Sequence, residues 1–346
     1  MTVDRGSWSP EFLNFLSQNS ISLDEYVPLP RYLRKRKPIE NEELHQDFDT
    51  PVESVEWLDD FVRIASGVKV VHSPFYKQGF IIGMDAGSGI AARALQVGPD
   101  DHVLDICCAP GGKLLYCADL MGPGTGSVTG VDISKDRILV AKNLLRKNFD
   151  RFRFFVADGT TFEVPAPSTP LSYQPQMVPD GVCRVKPLYA TRLLVNDPQL
   201  PQKGYDRVLV DAECSHDGSV SHLTNVHGKV GWDQKFLDPA RLQGLEKLQT
   251  GLLENGFRLL RVGGILVYST CSFAYAQNEG IVAKFLRRHP KACLIDIPFA
   301  KGLPRAPLAK PPNETSEESV DLSPCIRLSP RASGCGAMFI ACILKS

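Results

Sequence analysis

The stretch HVLDICCAPGGK, from His102 to Lys113, combines the signals of a strand, a turn and a helix start. A short apolar run ends near Asp105, Gly111 and Gly112 follow, and KLLYCADLM then has helical spacing. Glycines at such a turn let a ligand approach the backbone N–H groups of the first helical turn. Because the stretch has neither the G-x-G-x-x-G nor the G-K-[ST] pattern, it predicts a ligand-binding βα unit for which pyrophosphate is not the obvious ligand.

The same strand, turn and helix pattern recurs towards the C-terminus. Short β-branched and aromatic runs predict strands at HVLDIC, GSVTGVDI, FRFFVAD, DRVLVDA and GGILVYST. The segments SKDRILVAKNLLRKN and LQGLEKLQTGLLENGFRLL have the spacing of amphipathic helices. This alternation predicts an α/β fold over residues 76–346, with a mostly parallel sheet and helices on both faces. Residues 163–203, rich in proline and polar side chains, are expected to form an insertion or long loop.

Residues 1–75 are expected to form a small α/β appendage that could contact RNA. SPEFLNFLSQ has helical spacing, and so does TPVESVEWLDDFVRIA, in which Thr50 would cap a helix and Pro51 would occupy its first position. The segment PRYLRKRKP, residues 30–38, contains five basic residues. It predicts either an RNA-contacting patch or a solvated basic loop.

The composition of the chain limits which partners and which cellular setting can be expected. The net charge is +0, so any site for a polyanion must be local. No apolar run is long enough to cross a bilayer, and the N-terminus has no secretory layout, so we expect an intracellular monomer without membrane contact. In that setting the 10 cysteines are expected to be reduced thiols.

Residues at the carboxyl ends of the predicted strands are the most informative, because open parallel sheets bind ligands beyond those ends. Asp132 is placed to accept ribose hydroxyls, and Asp158 is placed to receive the exocyclic amine of an adenine. Together with the glycine turn they predict a nucleoside without phosphates, which indicates S-adenosyl-L-methionine. Each aspartate taken singly could instead form a helix cap or an Asx-turn.

The motifs DICCAPGGK, VDISKDR, ADGT, VDAECS and VYSTCSF, in this order, resemble those of the Sun-type (NOL/NOP/Sun) RNA cytosine-5 methyltransferases. The resemblance covers residues 75–346. It implies a Rossmann-like class I methyltransferase fold, S-adenosyl-L-methionine as cofactor and tRNA or rRNA as partner. The family's signatures are close to CAAPGGK, DAPCSG and STCS. This chain departs from them at Cys108, Glu213 and His216, which replace an alanine, a proline and a glycine.

The resemblance also implies roles at the site. A thiolate that adds to cytosine C6 activates C5, and a base must later remove the C5 proton. Cys271 is implied as the nucleophile and Cys214 as the group that acts in the release step. Asp211 is implied to hold the base and supply a proton, and Lys113 to orient that carboxylate or lower a thiol pKa. Cofactor contacts are predicted for Cys107, Cys108, Ala109, Pro110, Gly111, Gly112, Lys113, Asp132, Arg137, Asp158 and Asp211.

Three other interpretations compete with a methyltransferase. The first is a non-catalytic RNA-binding assembly factor built on the same fold, against which both thiols, Asp211 and the glycine turn argue. The second is a metal-binding module using Cys214 and His216; because the sequence has no C-x-x-C knuckle or paired histidines, no metal is predicted. The third is a redox protein using Cys107 and Cys108, but adjacent cysteines rarely reach disulfide geometry.

Overall fold

The computed structural model describes residues 8–147, 149–167, 187–191, 194, 203–219, 237–311 and 320–346. Within these ranges the chain forms a four-stranded sheet near the N-terminus and a nine-stranded sheet after it. Most of the predicted 163–203 insertion lies outside the described residues. No helix of the described ranges is long and apolar enough to cross a membrane.

The N-terminal sheet is antiparallel, in the order β2-β3-β1-β4. Its strands are β1 (Arg31–Lys35), β2 (Glu53–Ser54), β3 (Phe61–Ile64) and β4 (Ile81–Gly83), and the accompanying helices are α1 (Pro10–Gln18), α2 (Asn41–Phe48) and α3 (Pro74–Lys77). The helix predicted from SPEFLNFLSQ is confirmed as α1, in which the Ser9 hydroxyl accepts a hydrogen bond from the Phe12 N–H. Because β4 pairs with β1, this sheet continues past residue 75; the boundary between residues 75 and 76 stays a prediction.

The helix predicted over TPVESVEWLDDFVRIA is wrong, since this segment contributes β2 and β3. In β3, Val62 pairs with Leu33 of β1, and both side chains are fully buried in one apolar cluster. Phe61 points to the opposite face and joins the main core. Burial on both faces of a paired strand therefore outweighs the helical spacing of the sequence.

The loop interpretation of the basic segment PRYLRKRKP is wrong, because most of the segment is strand β1, and contact of this segment with RNA stays a prediction. The Arg34 side chain is 4% exposed and donates to Asp60 and Asp119 at 2.9 and 2.8 Å. Its guanidinium also lies 3.6 Å from the centroid of the Tyr116 ring. Arg36 donates to Asp119 as well, at 2.6 Å. Buried charges require partners, and these two arginines are neutralised inside the protein and are not offered to RNA.

The nine-stranded sheet has the order β11-β13-β10-β9-β5-β6-β7-β8, with β12 paired to β13. Its strands are β5 (His102–Asp105), β6 (Ser127–Asp132), β7 (Phe152–Val156), β8 (Tyr189–Ala190), β9 (Tyr205–Asp211), β10 (Leu260–Thr270), β11 (Ala292–Leu294), β12 (Ile326–Leu328) and β13 (Met338–Lys345). The five strands predicted from sequence are all confirmed, and they are the five parallel ones. From β5 the strands that follow in the chain are added first on one side, as β6 and β7, and then on the other side, as β9 and β10. The carboxyl ends of β5 and β9 therefore lie at a topological switch point.

Helices cover both faces of the nine-stranded sheet, as predicted. They are α4 (Ala86–Arg93), α5 (Gly112–Met121), α6 (Lys135–Leu145), α7 (Pro239–Leu259), α8 (Glu279–Arg288) and α9 (Pro330–Ser333). Consecutive strand residues alternate between two apolar clusters, because Val103 packs with α5 and α6 whereas Leu104 packs with α7 and α8. The side chains at the carboxyl ends of the strands are thereby held between two rigid layers.

Candidate active site

A cleft of about 610 Å³ lies beyond the carboxyl ends of the parallel strands, a volume suited to a small-molecule ligand. Many of the residues predicted from sequence line it: Cys107, Ala109, Lys113, Asp132, Arg137, Asp158, Asp211 and Cys271. Residues that the motifs did not assign also contribute, among them Asp85, Ser88, Ile133, Glu213 and His216. The cleft therefore collects groups from at least five strand ends.

The glycine turn is shaped by the position of α6. Gly111 has a φ of +102°, in the left-handed region that favours glycine. A Cβ atom at Gly111 would lie 2.8 Å from the Ala141 Cβ, so a side chain would also push α5 away from α6. Four predicted cofactor contacts, Cys108, Pro110, Gly111 and Gly112, are not among the lining residues, and their part in cofactor binding stays a prediction. Cys108 is 4% exposed and packs in the core.

Asp132 and Arg137 together hold this turn in place. The Asp132 carboxylate accepts from the Ala109 N–H at 3.3 Å and from the Ser134 N–H at 2.9 Å. Arg137 donates to the Ala109 carbonyl at 2.5 Å, and another of its nitrogens lies 3.7 Å from Asp132. The carboxylate of Asp132 is thus fixed at the cleft wall, where its remaining lone pairs can accept hydroxyl groups.

Asp158 also lines the cleft, at the end of β7. One of its oxygens accepts from the N–H and the hydroxyl of Thr160, at 2.8 and 2.7 Å. Asp132 makes the equivalent contact with the N–H two residues ahead. The Asx-turn interpretation of these aspartates is therefore correct, and it is compatible with a place in the cleft, since each turn fixes the carboxylate there.

Lys113 and Asp211 form an ion pair in the floor of the cleft. The Lys113 Nζ donates to Asp211 Oδ2 at 2.6 Å, and the Ser269 hydroxyl donates to Oδ1 at 2.8 Å. Burial acts to lower the pKa of Lys113, but the Asp211 carboxylate outweighs it, and the pKa is raised. Burial, with the added charge of Asp211, raises the pKa of nearby Asp105 to about 8. Lys113 is therefore paired with Asp211 beside a carboxyl group, that of Asp105, which holds its proton below that pH.

The two predicted catalytic cysteines converge although 57 residues separate them. Cys214 Sγ lies 3.3 Å from Cys271 Sγ, and the His216 Nδ1 lies 3.3 Å from Cys271 Sγ and 3.8 Å from Cys214 Sγ. Hydrogen bonds from Cys271 and His216 lower the pKa of Cys214 well below its usual value, despite burial. The contact with Cys214 and burial raise the pKa of Cys271. The pKa values of the two thiols are therefore shifted in opposite directions by their mutual contact.

The loops after β9 and β10 are tied together beneath the thiols. The buried Asp217 carboxylate accepts from the Ser272 hydroxyl at 2.7 Å and from the Phe273 N–H at 2.8 Å, and Ser215 donates to it as well. The Gly218 N–H donates to the Cys271 carbonyl at 3.1 Å. These bonds fix the two thiol-bearing loops relative to one another.

The sequence motifs missed several of these supporting groups. His216 stood out only as a departure from the family signature, and nothing in the sequence connected Asp217 or Gln277 to the site. Gln277 accepts from the Ser215 N–H at 3.0 Å and returns a hydrogen bond to the Ser215 hydroxyl. These contacts join residues that are distant in sequence. The only signal for them in the sequence is that polar residues follow the predicted strands β9 and β10. The nine described cysteines are all free, in line with the expected reduced thiols.

Solved structures share this architecture. The chain is similar to a methyltransferase homologue from Pyrococcus horikoshii, with a TM-score of 0.65 and 23% identity, covering 98% of this chain and 100% of that one. It is also similar to NSun6 from Pyrococcus horikoshii, crystallised with SFG, with a TM-score of 0.67, 15% identity and 98% of each chain covered. The predicted Rossmann-like class I methyltransferase fold is thereby confirmed.

The curated relatives that the chain matches in sequence also carry methyltransferase names. Ribosomal RNA small subunit methyltransferase B of Yersinia enterocolitica is 28% identical over 284 residues, 81% of this chain and 53% of the relative. The probable ribosomal RNA small subunit methyltransferase B of Bacillus subtilis is 28% identical over 239 residues, 69% of this chain and 44% of the relative. The chain thus spans about half the length of these relatives.

A family profile described as 16S rRNA methyltransferase RsmB/F matches residues 92–168 and 189–344. The matched ranges include the glycine turn, both cysteine motifs and every strand of the parallel sheet. They make up more than half of the chain. The protein therefore belongs to the RsmB/F family of RNA methyltransferases, the Sun-type family that its motifs predicted, with S-adenosyl-L-methionine as its cofactor.

Proposed function

We propose that this chain methylates C5 of a cytosine in RNA through a covalent adduct with Cys271. The observation that supports the proposal best is the 3.3 Å distance between the sulfurs of Cys214 and Cys271. One thiol is needed to add to the base and a second group to complete the reaction, and these thiols lie at the ends of neighbouring strands. Asp211 and Lys113 share the same strand edge.

The proposed reaction assigns each bond change to a group of the site. The Cys271 sulfur, as thiolate, forms a bond to cytosine C6, while the Lys113–Asp211 pair supplies a proton to the ring nitrogen. Carbon C5 gains nucleophilic character and accepts the methyl group. Cys214 loses its own thiol proton to solvent and, as thiolate, takes the C5 proton; the Cys271–C6 bond breaks, and the ring proton returns to the ion pair. Ser269 keeps Asp211 oriented throughout.

The cleft fits S-adenosyl-L-methionine, which supplies an electrophilic methyl group when bound. Asp132 would hold the ribose hydroxyls and Asp158 the adenine amine, as their places at the ends of β6 and β7 suggest. Ile133, which is 74% exposed at the cleft, offers an apolar surface for the adenine ring. The first turn of α5, at Gly112, would face the methionine carboxylate.

We propose ribosomal RNA as the substrate class. The support is that both curated relatives carry ribosomal RNA small subunit methyltransferase names. The target cytosine must be unpaired or flipped out of its stack, because Cys271 lines a cleft and Cys214 is buried next to it. A single-stranded segment or a loop of that RNA would meet this requirement.

The test compares wild type, Cys214→Ala, Cys271→Ala and the double variant. Each is incubated with ribosomal and small cellular RNA and S-adenosyl-L-methionine, and then separated on a denaturing gel. We expect Cys214→Ala to accumulate a shifted protein–RNA band, because the adduct forms but cannot resolve. The band should be absent from the double variant, and Cys271→Ala should transfer no methyl group.

Cys293→Ala is the matched control, because Cys293 is an exposed thiol on β11 and does not line the cleft. It should behave as wild type. Methyl transfer by Cys271→Ala at the wild-type rate would refute the covalent mechanism. RNA binding without methyl transfer by any form would favour the assembly-factor interpretation.

A further inference from the structure

We propose that Cys214, His216 and Cys271 form a binding site for a thiophilic divalent cation, with Zn²⁺ as the preferred ion. The sequence predicted no metal, because the three residues do not follow the spacing of a zinc motif. In the structure their donor atoms all lie within 4.8 Å of one another. Two thiolates and an imidazole are the ligand types that zinc prefers.

The distances suit tetrahedral coordination. With Zn–S bonds of about 2.3 Å and a Zn–N bond of about 2.0–2.1 Å, tetrahedral ligands are separated by roughly 3.5–3.8 Å. The observed separations are 3.3 Å between the sulfurs, and 3.3 and 3.8 Å between the His216 Nδ1 and the two sulfurs. Shifts of a few tenths of an ångström would therefore admit the ion, without rearrangement of the backbone.

His216, the imidazole ligand of the proposed site, is a departure from the family signature. The family signature has a glycine at this position, which offers no ligand. His216 has a φ of +57°, a left-handed conformation that residues other than glycine seldom adopt. This backbone conformation, which the family's glycine would adopt without strain, here places an imidazole beside both thiols.

Hydrogen bonds hold the ligand loop in place. Asp217, next to His216, accepts hydrogen bonds from Ser272 and Phe273 on the loop that carries Cys271. The Ser215 N–H donates to the Gln277 side chain at 3.0 Å. Preorganised ligands lower the cost of binding a metal, because little conformational freedom is lost.

One side of the proposed site opens to the cleft. Cys214 is buried, whereas Cys271 and His216 line the cleft wall, so a water molecule could supply the fourth ligand. Binding forms two Zn–S bonds and one Zn–N bond, and the thiol protons leave to solvent without any change of oxidation state. The charges of Zn²⁺ and two thiolates cancel, and a neutral group costs less to bury than a lone thiolate.

Occupancy by zinc and attack on RNA exclude one another, a consequence that rests on the proposed function. A sulfur lone pair bound to the ion cannot add to cytosine C6. Zinc would therefore hold the resting thiols in an inactive form, and the ion would have to leave before an adduct forms. The metal site itself does not depend on which base, or which RNA, is the substrate.

The experiment titrates Co²⁺ into the full chain, reduced with a phosphine, and then adds Zn²⁺. We expect thiolate-to-cobalt charge-transfer absorption, visible bands of tetrahedral cobalt, and loss of both on addition of one equivalent of Zn²⁺. His216→Gly restores the family's residue and should weaken cobalt binding by about tenfold or more. Cys271→Ser should abolish the charge-transfer band or reduce it by about half.

Cys293→Ser is the control for adventitious thiol binding and should match wild type. No charge-transfer band in wild type, or unchanged affinity in His216→Gly with its fold verified by circular dichroism, would overturn the proposal. A second arm measures methyl transfer with and without Zn²⁺ and then with a chelator. Cobalt binding by a protein that transfers no methyl group even after the chelator has removed the metal would leave the metal site standing and refute the proposed function, so the two failures are distinguishable.

Discussion

The Lys113 ammonium lies 2.6 Å from the Asp211 carboxylate, and the two groups come from the first turn of α5 and the end of β9. The ion pair joins the glycine turn to the strand that leads into the Cys214 loop. Because Ser269 donates to the other oxygen of Asp211, both oxygens are fixed. One contact thus connects the cofactor side of the cleft to its thiol side.

Replacing Lys113 should therefore impair the chemical step more than folding. In Lys113→Met, Asp211 loses its ammonium partner, and the ion pair that is proposed to supply a proton to the cytosine ring is broken. We expect the single-turnover rate of methyl transfer to fall by about 10²-fold, a usual magnitude for a lost acid–base group. Lys113→Arg keeps the charge and should retain part of the rate. A wild-type rate in Lys113→Met would exclude this role.

Asp132 should control cofactor affinity. Asp132→Ala removes an acceptor for the ribose hydroxyls and also releases the Ala109 N–H. Hydrogen bonds to a charged group contribute about 1.5–3 kcal/mol each, so the dissociation constant should rise by about tenfold or more. Calorimetry with S-adenosyl-L-methionine and no RNA measures this directly. Asp136→Ala, an exposed acid on α6, is the control and should leave the affinity unchanged.

Asp105 should make the free energy of unfolding depend on pH. Its pKa rises from 3.8 to about 8 on folding, chiefly through burial, so the folded state holds a proton that the unfolded state releases. This contribution to stability is complete below pH 3.8 and is lost as the pH rises towards 8. Asp105→Asn keeps a neutral side chain and should gain in stability relative to wild type across that interval.

Denaturant titrations of both forms at several pH values test this prediction. Each pKa unit corresponds to about 1.4 kcal/mol, so the gain should amount to a few kcal/mol at most near pH 8. The difference between the two forms should shrink steadily at lower pH. A pH-independent difference would show that the variant acts through packing alone.

Removing Arg327 should destabilise the fold strongly. Arg327 and Glu279 are 7% and 0% exposed, and the guanidinium also donates to the Phe273 carbonyl at 2.9 Å, two residues beyond Cys271. Arg327→Met leaves a buried carboxylate without its partner, which typically costs about 3–5 kcal/mol. The double variant Arg327→Met, Glu279→Leu should recover much of that loss. Denaturant unfolding of the four forms in a double-mutant cycle measures the coupling.

The parallel sheet was predictable because its signals are local. Each strand is a short apolar run ended by a polar residue, and each helix that follows has its own periodicity, as the run into Asp105 and the turn at Gly111 illustrate. The rule that ligands bind beyond the carboxyl ends of parallel strands then assigns Asp132, Asp158 and Asp211 to one edge of the sheet from the sequence alone. The cleft that these residues line follows from the same rule.

The features that sequence patterns missed depend on contacts between distant segments. The segment around Phe61 has helical spacing but forms a strand, because it pairs with β1. The charge of Arg34 is neutralised by Asp60 and Asp119, which lie 26 and 85 residues away in the sequence. His216 meets Cys271 only because the loops after β9 and β10 are tied together through Asp217. None of these pairings has a local periodicity or spacing that a sequence could display.

The register of β9 against β10 pairs Asp211 with Ser269, and Cys214 and Cys271 follow these residues by three and two positions. The distance between the sulfurs thus depends on the main-chain hydrogen bonds between β9 and β10, and these bonds do not depend on which side chains the strands carry. Helices and surface loops can diverge extensively while the register persists. A one-residue insertion in either strand, by contrast, would move one thiol away from the other. The approach of the two thiols therefore depends on the length of two strands as well as on the side chains themselves.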